Sequence, residues 1–139
     1  MPLTTIDTTP ALVIDLQKGI VGMPTVHPTG EIIARTAQLA RAFRERCLAV
    51  VLVNVTEAAP GRTDAGSPKS SRLAAWAELV PELEQQPGDL TVTKERCGAF
   101  IGTSLDADLR QRNVTQIFLT GVATSLGVES TARSAHDHG

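Results

Sequence analysis

An acid and an amine in this 139-residue chain each follow directly on a short apolar run. Asp15 stands after ALVI at residues 11 to 14, and Lys94 after LTVT at residues 90 to 93. Two strand ends meet at one rim when the strands run parallel, and a carboxylate beside an ammonium there can shuttle a proton. If the two are close, the cation favours the ionised carboxylate while burial opposes it. The same residues also suit an ordinary loop aspartate and a solvated lysine, and sequence order alone leaves both readings open.

A third stretch, LTGVATSLGVESTARSAHDHG at residues 119 to 139, packs a strand end, a tight turn and a helix start into a few residues. Val114 to Thr120 is an apolar, β-branched run suited to a buried parallel strand. Val128, Thr131, Ala132 and Ala135 recur at helical spacing, and Gly139 stands where a left-handed residue would end that helix. Gly121 to Gly127 must therefore turn the chain from sheet to helix. In an open α/β sheet, ligands bind at the carboxyl ends of the strands, and helix-start N–H groups favour negative charge there.

The remaining elements must bring these three places together. Ala11 to Ile14 reads as a first strand and VVLVNV at 50 to 55 as a second. Between them lie a Gly- and Pro-rich loop, an N-cap at Thr29, and a helix to about Arg46 with its apolar stripe on Ile32, Ile33, Leu39, Ala40 and Phe43. TEAAPGRTDAGSPKSS at 56 to 71 has no periodicity and reads as a long loop. Arg72 to Leu79 is expected to be helical, with Pro81 opening a further turn. Leu90 to Thr93 is the third strand, and Thr103 with Asp106 resembles a capping box opening a helix to Asn113. Strands alternating with helices argue for an α/β fold with a doubly wound parallel sheet in three layers. Residues 1–139 read as one domain.

Composition is compatible with this and excludes other classes. A 42% hydrophobic content can supply a core. A net charge of -2 with mixed signs carries no nucleic-acid or membrane footprint, so the expected partners are a small-molecule substrate and other subunits. The two cysteines lack metal or disulfide spacing, and neither a signal peptide nor a membrane-length apolar run is evident, so the chain reads as cytoplasmic.

Several side chains carry both a functional and a plain reading. Arg62 and Lys69 lie in the long loop; Arg62 could fork a substrate carboxylate as the loop closes, or be a solvated charge. Cys97 is a displaced nucleophile near the Lys94 cation or a small buried hydrophobe. Ser125 is an N-cap before it is a catalyst. Trp76 and Phe100 could stack on a substrate or belong to the core. His27, His136 and His138 suit solvent-facing roles, and no metal site or cofactor is suggested.

GVATSLGVESTA resembles the GVAT-N-x-C-V-x-S-T-A segment of the isochorismatase-like, or cysteine hydrolase, superfamily, and ALVIDLQKGI and VTKERCGAFIGTSLDADLR agree with it in order and spacing. The resemblance implies a hydrolase in which Asp15 moves a proton and Lys94 balances its charge, with Val122, Ala123, Thr124 and Ser125 lining the substrate end of the turn. It also implies a cis peptide between Val122 and Ala123, further strands beyond Gly139, and a homodimer or larger homo-oligomer. Where thiol members carry their nucleophile, this chain has Gly127, which can form no acyl-enzyme. The resemblance thus points to a non-covalent, isochorismatase-type hydrolysis of a small, carboxylate-bearing molecule, in which Gly127 either leaves space for substrate or water or simply allows tight packing or a positive φ. A non-catalytic assembly subunit and an amidase using Cys97 are the alternatives.

Overall fold

The computed structural model describes residues 11–57, 61 and 74–139. Its frame is a four-stranded, all-parallel sheet of β1 (Ala11–Asp15), β2 (Ala49–Val55), β3 (Leu90–Lys94) and β4 (Ile117–Gly121), in spatial order β3-β2-β1-β4. The chain adds β2 and then β3 on one side of β1, and crosses back to place β4 on the other. The winding reverses at β1, so the crevice for ligands in such sheets opens at that strand's carboxyl end, where Asp15 stands.

Burial on both faces explains why β2 reads as an apolar run from Val50 to Val53, whereas edge strand β3 alternates, with Thr91 and Thr93 exposed. Val50 and Leu52 point into one core with Leu16, Ile33, Ala40 and Phe43, while Val51 and Val53 point into a second with Val92, Ala99, Leu105 and Leu109. The first core is roofed by α2 (Thr29–Glu45), the second by α4 (Leu105–Gln111). The expected three-layer, doubly wound α/β arrangement is the one observed.

Local details differ from expectation for identifiable reasons. In α2 the buried residues are Ile33, Thr36, Ala37, Ala40 and Phe43, which share a face at 3.6-residue spacing. Leu39 lies about 100° round the helix from Ala40 and is 42% exposed. Thr29 is the first helical residue, not the N-cap, and its hydroxyl donates to Val21 O. A short α1 (Lys18–Val21) forms in the Gly- and Pro-rich loop; of the helix expected at 72 to 79, residues 72 and 73 lie outside the described residues, α3 covers Ala74–Ala77, and residues 78 and 79 are not helical. Leu79 instead bridges to Gln17, and Pro81–Leu83 forms a 3-10 turn.

The Thr103–Asp106 capping box does not form. Thr103 Oγ1 donates to Ala99 O and accepts from Leu105 N, while Asp106 pairs with Arg110 one turn on. β4 begins at Ile117 because residues 112–114 still close α4: Asn113 is left-handed (φ 55°) and Val114 N donates back to Leu109 O at 3.0 Å. Gly139 has the left-handed φ of 85° expected at the end of α5 (Glu129–His138).

Candidate functional site

Register brings the acid and the amine together. Asp15 is level with Val53 of β2, and Val53 with Val92 of β3, so Lys94, two residues on, projects to the same face of the sheet as Asp15. The strands are two spacings apart, roughly 10 Å, which an extended lysine and an aspartate span between them. Lys94 Nζ donates to Asp15 Oδ2 at 2.7 Å and to Cys97 O at 2.9 Å. Lys94 is 2% and Asp15 8% exposed, so the solvated-loop reading of both residues is excluded. Among the described residues Asp15 Oδ1 is buried without a hydrogen-bond partner, which costs the carboxylate solvation.

Gly127 closes the site from the β4 side. The chain leaves β4 at Gly121 and folds back through a single π turn at Thr124–Val128 before α5. The Val122–Ala123 peptide is trans, against expectation: the bend is an inverse γ-turn, with Ala123 at φ -84°, ψ 71° and Thr124 N donating to Val122 O at 3.0 Å. Ser125 is neither N-cap nor buried; Ala123 holds the cap position and Thr124 and Ser125 are exposed on the turn. Thr131 ties the π turn down, donating to Gly127 O at 2.6 Å and accepting from Ala99 N at 3.1 Å.

The backbone at Gly127 is not left-handed, so conformational freedom does not explain the glycine. Close approach does. A Cβ on residue 127 would overlap Asp15 Oδ2 and lie 3.0 Å from Lys94 Nζ. The Cβ position of residue 127 is therefore taken by the ion pair itself, while Gly127 still lines open space on its other side.

Above the pair opens a chamber of about 270 Å³, just under the roughly 300–1,000 Å³ of small-molecule sites. Ile20, Met23, Trp76, Ala123 and Leu126 form an apolar wall, while Glu57, Arg96 and Cys97 supply polar groups beside Asp15, Lys94 and Gly127. Trp76 comes close because α1 carries Gly19 beneath its ring, where any side chain would collide.

Gln17 holds this wall in place. It is fully buried, donates from Nε2 to Val55 O at 3.0 Å and Trp76 O at 3.2 Å, and accepts from Val55 N at 2.7 Å. Sequence reasoning passed over Gln17, Arg96 and Leu126. The available signal was spacing: Gln17 and Arg96 each lie two residues past Asp15 and Lys94.

Other expected site residues fall elsewhere. Phe100 is outside the chamber; it stacks on His138 at 5.1 Å and packs against the α4-side core. Cys97 is exposed rather than buried, and it is its carbonyl, not its thiol, that Lys94 contacts. Arg62 and Lys69 lie outside the described residues. His27, His136 and His138 are exposed, and among the described residues no group of three or more His, Cys, Asp or Glu could hold a metal ion. Among them, too, no helix is long and apolar enough to cross a membrane.

A doubly wound parallel sheet with a buried acid–amine pair at its switch point defines a class of α/β enzyme. Residues 10–139 match the isochorismatase domain, and the chain belongs to the isochorismatase family of hydrolases. It is 42% identical over 138 residues to the uncharacterised isochorismatase family protein YwoC of Bacillus subtilis, covering 94% of this chain and 71% of that one. The solved structure of an isochorismatase family protein from Burkholderia thailandensis superposes with a TM-score of 0.90 at 45% identity, over 96% of this chain and 74% of that one. The ureidoacrylate amidohydrolase RutB of Variovorax paradoxus is 45% identical over 58 residues, 42% of this chain and 23% of that one.

Proposed function

We propose that the protein hydrolyses a small, carboxylate-bearing molecule without a covalent thiol intermediate. One observation carries this reading: the place a nucleophilic side chain would occupy at residue 127 is filled by the Asp15–Lys94 pair, 2.7 Å apart. With no nucleophile there, water attacks the substrate directly. Asp15 Oδ1, the unpartnered acceptor, receives a substrate or water hydrogen and moves the proton; Lys94 stabilises the carboxylate as its charge changes. The apolar wall excludes bulk water, which strengthens both interactions.

A second reading has one observation in its favour. Cys97 is an exposed thiol lining the same chamber, as an amidase with a displaced nucleophile requires.

Isochorismate, ureidoacrylate, other N-carbamoyl compounds and nicotinamide, each incubated with wild type, Asp15→Ala and Cys97→Ser, separate the readings. The proposal expects turnover of a carboxylate-bearing compound that falls by about 100-fold or more in Asp15→Ala and survives in Cys97→Ser. Loss in Cys97→Ser, with an acyl adduct on that residue by mass spectrometry, establishes the thiol route instead. No turnover of any compound refutes the proposal and shifts weight to the non-catalytic subunit.

A further inference from the structure

Lys94 is not available to bind a substrate anion, because Asp15 Oδ2 and Cys97 O already take its ammonium. Among the described residues Arg96 is the other cation lining the chamber, and it is differently placed. Its side chain is two-thirds buried, at 33% exposure. Nη1 donates to Glu95 O at 2.7 Å, and the Glu95 carboxylate lies 3.9 Å away. Among the described residues Nε and Nη2 have no partner. A guanidinium with an unused pair of donors matches a planar carboxylate in two parallel hydrogen bonds, and burial against apolar neighbours strengthens them.

We infer that Arg96 is the specificity-determining residue of the chamber, gripping the carboxylate of the substrate while Asp15 Oδ1 meets its hydrogen-bond donor. The inference rests on the proposed hydrolase reading for the word substrate, but the chamber binds or rejects an anion whether or not it turns one over. Glu57 lines the same chamber, is exposed, and would favour an amine if it set the preference.

Trp76 is the chain's single tryptophan and lines the chamber, so its fluorescence reports occupancy. Three probes share one skeleton and differ in charge: cyclohexanecarboxylate, cyclohexanecarboxamide and cyclohexylmethylamine. Wild type is expected to bind the carboxylate about tenfold or more tighter than the amide. Arg96→Ala should erase that preference by weakening the carboxylate far more than the amide, and Arg96→Lys should restore only part of it, because an ammonium lacks the fork. Circular dichroism and melting of both variants confirm that they are folded. Equal affinity for carboxylate and amide in wild type, a preference that survives Arg96→Ala, or tighter binding of the amine each overturns the inference. None of these outcomes depends on turnover, so absence of hydrolysis refutes the proposed function alone.

Discussion

Replacing Gly127 with alanine puts a methyl group where the Asp15 carboxylate now sits. The added Cβ would lie 2.4 Å from Asp15 Oδ2, so that oxygen must retreat by at least 0.6 Å to reach 3.0 Å, and by 1.0 Å to reach ordinary contact at 3.4 Å. Lys94 Nζ, at 3.0 Å, must yield as well. Asp15 is a short side chain on a strand held by neighbours on both sides, so the shift is a rotation that swings the carboxylate off the ammonium. Overpacking of this kind costs about 1–3 kcal/mol, with about 3–5 kcal/mol as the ceiling should the buried pair separate fully. At a urea slope of about 2 kcal/mol/M, the midpoint falls by roughly 0.5–1.5 M. Displacement of a reacting group by this much lowers turnover by about 100-fold. Urea unfolding followed by Trp76 fluorescence, and product formation from whichever compound the wild type hydrolyses, measure both. Gly127→Ala with the wild-type midpoint and full turnover would refute the claim that the ion pair occupies this space and that its position matters.

Other perturbations separate the site from the scaffold. Lys94→Met leaves a buried carboxylate unpaired and should cost about 3–5 kcal/mol in urea unfolding; Asp15→Leu with Lys94→Met should recover most of that loss while remaining inactive. A double variant no more stable than Lys94→Met refutes the pair's burial. Gln17→Leu strands the backbone groups of Val55 and the Trp76 carbonyl, with an expected loss of about 2–4 kcal/mol and weaker binding of all three cyclohexyl probes; unchanged binding means the wall stands without it. Arg44→Met breaks the bidentate pair with Asp89, 17% and 3% exposed, and should cost about 3–5 kcal/mol, with turnover by the folded fraction unchanged because this pair holds α2 to the loop before β3, away from the chamber.

The layers and the succession of elements along the chain were legible because a doubly buried parallel strand leaves a plain mark: Val50 to Val53 is apolar throughout because both faces are covered. The meeting of Asp15 and Lys94 was legible for the same reason, since two strand ends in one parallel sheet share a rim. What the sequence hid depends on geometry below the scale of an element. The 3.6-residue phase that exposes Leu39 and buries Thr36 depends on where α2 rests. The turn at Ala123 reaches its bend through an inverse γ-turn, which the residue type does not announce. Phe100 has the same composition signal as a substrate-stacking ring, yet α5 draws it onto His138.

Gly127 shows why a missing side chain can be read two ways from sequence and one way from structure. As a letter it signals either room for a ligand or a backbone demand, tight packing or a positive φ; its ordinary φ removes the last, and the ion pair pressed against it is the tight packing. The consequence reaches Asp15. With Oδ2 committed to Lys94 and sealed by Gly127, its acceptor still to be satisfied among the described residues is Oδ1. A side chain at residue 127 would take the place of Oδ2 and turn the carboxylate. A glycine at this position and a directly paired acid and amine are therefore one structural choice, and a covalent nucleophile at residue 127 requires a different placement of Asp15.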